Sequence, residues 1–131
     1  MSRKTAREEL FKILFEIELT GKLPEDILDK NENEYSLKDG EFIRSYAKEV
    51  TENIEEIKII INENMKNWKL SRLGTVERVL LKIATYELLK TEVGTEIIIN
   101  EAVELAKVYG DEKSYEFING VLAIIVKTLR K

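Results

Sequence analysis

Apolar residues recur along this chain at spacings of three and four, the period of an amphipathic helix, from near its start to its last residues. Leu10, Ile13, Leu14 and Ile17 form the first such stripe and predict a helix from about Thr5 to Leu19 that stops near Gly21. "LPEDILDK" reads as a short helix with Pro24 in its first turn, where a missing N–H is tolerated, and "NENEYS" reads as a loop. Phe42, Tyr46, Val50, Ile54, Ile57 and Ile61 fall on one side of a long helix running from an Asp39 cap to Glu63. "NWKLSRLG" is a connector with room for one helical turn. Thr75 is expected to cap the next helix, whose stripe is Val76, Val79, Leu80 and Ile83 and which ends near Lys90. Gly94 and Thr95 open the helix after it, and Gly110 closes that one. Ser114 is expected to cap a last helix to about Leu129, with Ile118, Val121, Leu122, Ile125 and Leu129 inward. No two-residue hairpin signal joins alternating runs. The pattern predicts an all-α single domain over residues 1–131, with short connections that set successive helices antiparallel.

Composition narrows the function. With 44% apolar residues in a chain of 131, a core can form without staples. There is no Cys and no His, which removes disulfides, thiolate metal sites, the commonest general base and the usual zinc hydrolase sites. The expectation is a protein that is not an enzyme and needs no cofactor. "MSRKTAREEL" has no signal-peptide core, and no run approaches the ~20 apolar residues of a membrane span, so a cytoplasmic protein with no membrane partner is expected.

The net charge of −4 is unevenly spread. Residues 23–64 hold 12 acidic and 5 basic groups, whereas residues 65–90 hold 6 basic and 2 acidic ones. Cations also gather at residues 3–12 and 127–131. A basic face is compatible with the negative total.

On a helical wheel Lys4, Arg7, Phe11 and Phe15 share one flank of the first helix, joining cations to aromatics as RNA-binding surfaces do. Core packing of the phenylalanines is the competing reading. Arg3, Lys4 and Arg7 also oppose the helix macrodipole, so something other than helix stability favours them there. Glu87 falls on an apolar stripe, where a carboxylate must be paired, reach past the helix end or meet a partner. In "INEAVELAK", Asn100, Glu104 and Lys107 lie opposite the apolar arc and Glu101 at its margin, a wet or partner-covered face rather than an active site. On the last helix Asn119 edges the core stripe, while Gly120 lies away from it beside Glu116, Ala123 and Lys127. A glycine there costs about 1 kcal/mol relative to Ala, which tight helix packing or close approach of a ligand would justify.

"TAREELFKILFEIEL", "VERVLLKIATYELL", "INEAVELAKVYG" and "SYEFINGVL", in this order, closely resemble the NusB family of bacterial transcription antitermination factors. The likeness covers nearly the whole chain. It implies two small packed helical bundles, no catalysis, and binding of single-stranded boxA RNA in nascent ribosomal RNA. It further implies a ribosomal protein partner, NusE, and assembly with other Nus factors and RNA polymerase. The family's basic N-terminal RNA-binding segment maps onto Arg3, Lys4 and Arg7, and the glutamate of its YEL motif, near the protein partner, onto Glu87. Where the family often has Asp after "NGVL" this chain has Ala123, and where it often has Pro this chain has Gly94. Candidate RNA contacts are thus Arg3, Lys4, Arg7, Phe15, Asn119 and Lys127, and candidate protein-partner contacts are Glu87 and Ala123. Two other readings stay open: the RNA-targeting front domain of a ribosomal RNA methyltransferase, of which this would be a fragment, and a purely protein-binding helical module. Exposed helix faces leave a homodimer open as well.

Overall fold

Helical periodicity is realised in six α-helices across residues 3–22, 25 and 37–130, which the computed structural model describes. They are α1 (Arg3–Thr20), α2 (Leu37–Glu52), α3 (Ile54–Glu63), α4 (Thr75–Lys90), α5 (Thr95–Tyr109) and α6 (Glu112–Leu129), with a 3-10 turn at Leu70–Arg72. Among the described residues there is no strand, as the all-α expectation required. The short helix expected around Pro24 and the loop after it lie outside the described residues, Glu25 apart. The chain divides into two compact units, residues 1–52 and 53–131.

In the first unit α1 packs on α2. Leu10, Ile13 and Leu14 are buried as their spacing predicts, together with Ala6 and Phe11, and Ile43, Ala47 and Val50 line the inner side of α2. Phe11 is only 2% exposed and belongs to this core rather than to a solvent-facing flank. Fully burying a side chain of this size contributes about 1.5–3 kcal/mol, so such residues outweigh any single surface pair. Gly21, with φ of 71°, closes α1 by donating its N–H to the carbonyl of Ile17 at 2.9 Å. Glycine enters that left-handed region without a Cβ penalty.

The second unit holds α3 to α6. Val79, Leu80, Leu81, Ile83, Ile98, Ala106, Ile118, Leu122 and Ile125 make its core, with Ile57 and Ile61 added by α3. Polar contacts at both ends of the bundle fix its direction. At one end the hydroxyl of Ser114 donates to the carboxylate of Glu77, joining the starts of α6 and α4. At the other, Arg130 just past α6 reaches the end of α4. Helices α4 and α6 therefore run parallel, and α5 returns antiparallel between them, in keeping with the short connections.

Four boundaries differ from the periodicity reading. The long helix breaks at Asn53, whose φ and ψ of −102° and 15° leave the helical region. The apolar stripe continues through this point, but asparagine is a weak helix former. Asp39 lies within the first turn of α2 rather than at its cap. Gly74, not Thr75, is the N-cap of α4. Asp111, not Ser114, caps α6: its side chain accepts the Ser114 N–H at 2.9 Å, and the Ser114 hydroxyl accepts the Asp111 N–H at 3.2 Å. Serine thus takes the third position of a reciprocal capping box. The tight turn into this box requires Gly110, because a Cβ there would lie 2.7 Å from Ser114 Cβ and 2.9 Å from the carbonyl oxygen of Ala106.

Arg130 makes five hydrogen bonds with its guanidinium. Nε donates to the Leu88 carbonyl at 3.1 Å; one terminal nitrogen donates to the Val93 carbonyl at 2.6 Å and Thr95 Oγ1 at 3.0 Å; the other donates to the carbonyls of Glu87 at 3.1 Å and Thr91 at 2.9 Å. A cation here satisfies carbonyls left open at a helix C-terminus and opposes the negative end of its dipole. Replacing Arg130 with Met should lower stability in urea unfolding by about 2–3 kcal/mol, the scale of hydrogen bonds to a charged group. Arg130→Lys should recover little of it, because an ammonium lacks the planar fork. An unchanged unfolding midpoint in Arg130→Met would remove the clasp from the account.

The Asp111 carboxyl is held below its ordinary value, first by the Ser114 N–H, then by the Ser114 hydroxyl, with Lys113 assisting against a small desolvation effect. A depressed carboxyl stabilises the fold above the unfolded-state value of about 3.9 and loses that contribution as pH falls through the folded value. An NMR titration should therefore place the Asp111 midpoint below the ordinary range, and Ser114→Ala should raise it. An unshifted midpoint in the parent would contradict the capping geometry.

Candidate nucleic-acid interface

The first turns of α1 put cations where the periodicity reading wanted them, but the fold treats them differently. Lys4 is exposed. Arg7 is 6% exposed, and its guanidinium lies 5.9 Å from the centroid of the Phe42 ring on α2. A partly desolvated cation over an aromatic face is held by the ring quadrupole. The expectation of Arg7 as a surface phosphate contact therefore meets a residue packed into the first unit. Phe15 is half-buried, 5.8 Å from the Phe11 ring, and keeps one side outward. Arg3 supplies the first residue of α1.

Glu87 shows a second departure. Its place on an apolar stripe predicted either an internal pairing or a partner contact, and the structure buries it to 2% exposure. It is an interior residue of this chain, and its backbone carbonyl is one of those held by Arg130. Direct contact with a protein partner does not fit that burial.

Helix α6 presents the remaining nominated residues. Asn119, Ala123 and Lys127 are all exposed, with Glu116 and Gly120 on the same outward side. A Cβ built on Gly120 meets nothing within 4 Å, so the glycine does not serve tight packing on a neighbouring helix. It leaves the surface low. On α5, Asn100 and Glu104 are exposed and Glu101 half-buried, and Lys107 pairs with Glu104 at 3.6 Å as the three-residue spacing predicted. Among the described residues no group of three or more His, Cys, Asp or Glu side chains is arranged to hold a metal. None of the helices there is long and apolar enough to cross a membrane.

The periodicity reading passed over the connector before α4. Its Trp68 is 54% exposed and meets Phe117 of α6 nearly edge-on, with centroids 6.2 Å apart. Two grooves share these rings. One, of about 430 Å³, also involves Arg72, Lys113, Glu77 and Asp111; the other, of about 520 Å³, involves Lys66, Met65, Gly120 and Ile124. The available signal was the only tryptophan of the chain standing among Lys66, Lys69 and Arg72. The connector is shaped by Asn62, whose side chain accepts the Leu70 N–H at 2.8 Å, and by Asn67 at φ 65°, a conformation asparagine tolerates better than most residues.

The sequence profile of the NusB family matches residues 4–127. A transcription antitermination protein NusB of Fusobacterium nucleatum is 44% identical, over 95% of this chain and 88% of its own length. One from Bacillus cereus is 41% identical, over 98% of this chain and 100% of its own. Among solved structures, T. maritima NusB superposes with a TM-score of 0.91 at 38% identity, covering 97% of this chain and 92% of that one. The NusB in a crystal structure of antitermination factors NusB and NusE with double-stranded RNA gives 0.86 at 31% identity, covering 96% of each chain. In sequence and in fold, this chain belongs to the NusB family.

Proposed function

We propose that this protein is a transcription antitermination factor that binds single-stranded boxA RNA of nascent ribosomal RNA together with the ribosomal protein NusE. The observation that carries this reading is the 96% coverage, in both directions, of a chain solved with NusE and RNA. The protein performs no chemical step in this reading. It joins the RNA to a complex with other Nus factors and RNA polymerase, in the cytoplasm. Holding the RNA beside the enzyme that made it raises the effective concentration of every later contact between them.

Within that reading Arg3 and Lys4 meet phosphates, and Phe15 offers an aromatic edge. Arg7 stiffens the start of α1 through Phe42 rather than reaching the RNA. Asn119 and Lys127 form a second RNA-facing row on α6, and Ala123 a small contact for the protein partner. Glu87 supports that partner surface from inside.

Fluorescence anisotropy of a short boxA-type RNA, with and without the ribosomal partner and against a scrambled RNA, tests the proposal. Selective binding that the partner tightens is expected, and no selective binding even with the partner present would refute it. Replacing Arg3 and Lys4 with Gln should weaken the complex and reduce the slope of log affinity against log salt by about 1.4, two phosphate contacts at roughly 0.7 each. An unchanged slope would take both residues out of the interface. Glu87→Lys should cost about 3 kcal/mol or more of folding stability, the scale for a disrupted buried charge. A fully stable Glu87→Lys protein that has lost only partner binding would return Glu87 to the surface role.

A further inference from the structure

In the connector "KNWKLSR", residues 66–72, Leu70 turns into the core, but Trp68 and the cations beside it are absorbed neither by the core nor by the contacts assigned above. Its tryptophan is more than half exposed. Large exposed aromatic surface carries a hydration cost that a binding surface recovers. Lys66, Lys69 and Arg72 surround Trp68 along the chain and are all exposed, and Lys113 lines the same groove as Arg72. The acidic groups of that groove are already engaged: Glu77 accepts from the Ser114 hydroxyl, and Asp111 accepts the Ser114 N–H. A hydrogen bond does not cancel a carboxylate's charge, so the groove is mixed in sign, with Arg72 and Lys113 as the cations able to meet a phosphate there. On the other side Glu63 and Glu116 line the groove with Lys66, which directs phosphates toward Arg72 and Lys113. Gly120 lines the same groove as Trp68 and Phe117 and puts no side chain into it.

We infer that Trp68 is a stacking platform for an unpaired RNA base, with Arg72 and Lys113 holding the adjoining phosphates. The inference rests on the RNA-binding reading above and adds a footprint on the connector to those on α1 and on the outward row of α6. Stacking of bases on aromatic side chains beside cations is sequence-tolerant, so this footprint contributes affinity and strand path more than sequence choice.

Trp68 is the only tryptophan, so its emission reports this place alone. The test titrates the full chain with a boxA-type single-stranded RNA, reading Trp68 fluorescence and RNA anisotropy together, with and without the ribosomal partner. Quenching of Trp68 at the same midpoint as the anisotropy change is expected. Trp68→Ala should bind about tenfold more weakly, within the range of one lost stack, and Trp68→Phe should recover much of the loss. Should Trp68→Ala lose helicity by circular dichroism, the double variant Arg72→Gln, Lys113→Gln carries the test. Weaker binding with a shallower salt dependence supports the site; unchanged binding overturns it. RNA binding by anisotropy with unchanged Trp68 emission and an unaffected Trp68→Ala overturns the stacking site and leaves the RNA reading standing. No RNA binding by the parent chain overturns both. Emission that responds to the ribosomal partner alone, and not to RNA, makes the groove a protein-docking surface instead.

Discussion

The guanidinium of Arg130 gathers the carbonyls of Glu87, Leu88, Thr91 and Val93 and so ties the end of α6 to the end of α4 and the start of α5. Without such a donor fork the carbonyls of Leu88, Thr91 and Val93 would lose this partner, while that of Glu87 would keep the Thr91 N–H and hydroxyl. At the opposite end Asp111, Ser114 and Glu77 perform the matching task for the helix starts. Between the two clasps lies an apolar interior of branched side chains. Hydrophobic burial supplies most of the stability, but it is non-directional. The clasps set the parallel alignment of α4 and α6, and with it which side of α6 faces outward.

That alignment is what gives the outward row of α6 its use. Asn119, Gly120, Ala123 and Lys127 are presented on a helix whose two ends are both fixed, so a ligand meets a surface already in place. Little ordering is then required at the moment of binding. The same fixation brings Phe117 to Trp68 and forms the grooves beside them. In the first unit Arg7 and Phe42 act on a smaller scale, placing the start of α1 so that Lys4 stands in solvent. A family built to hold RNA and protein together needs rigid, polar, shallow surfaces rather than a deep pocket, and this chain has neither the histidine nor the cysteine on which most catalytic clefts rely.

Much of this was legible in the order of residues. The stripes at Leu10, Ile13 and Leu14 and at Ile118, Leu122 and Ile125 are buried as their spacing requires, because helix periodicity is imposed by backbone geometry alone. Glu87 stood out at once as a carboxylate on an apolar stripe. What sequence could not separate was a cation in solvent from a cation at work inside. Arg7 reads like Lys4, and Arg130 like Lys127, yet one pair is drawn into rings or carbonyls and the other is exposed. That difference depends on residues far away in the chain, Phe42 for Arg7 and the α4 terminus for Arg130. The break at Asn53 was hidden for the opposite reason, since the apolar pattern runs on through it and only a local conformational preference marks it. Trp68 was overlooked because a connector has no periodicity to violate.

The central claim is that RNA lies on surfaces held by a rigid helical frame. Hydrogen–deuterium exchange of the protein alone and bound to a boxA-type RNA measures that claim residue by residue. The account predicts RNA-dependent protection in the first turn of α1, in residues 66–74 and along the outward row of α6, with exchange in the cores of α4 and α5 unaltered. Protection confined to those core helices, or none anywhere under saturating RNA, would contradict it.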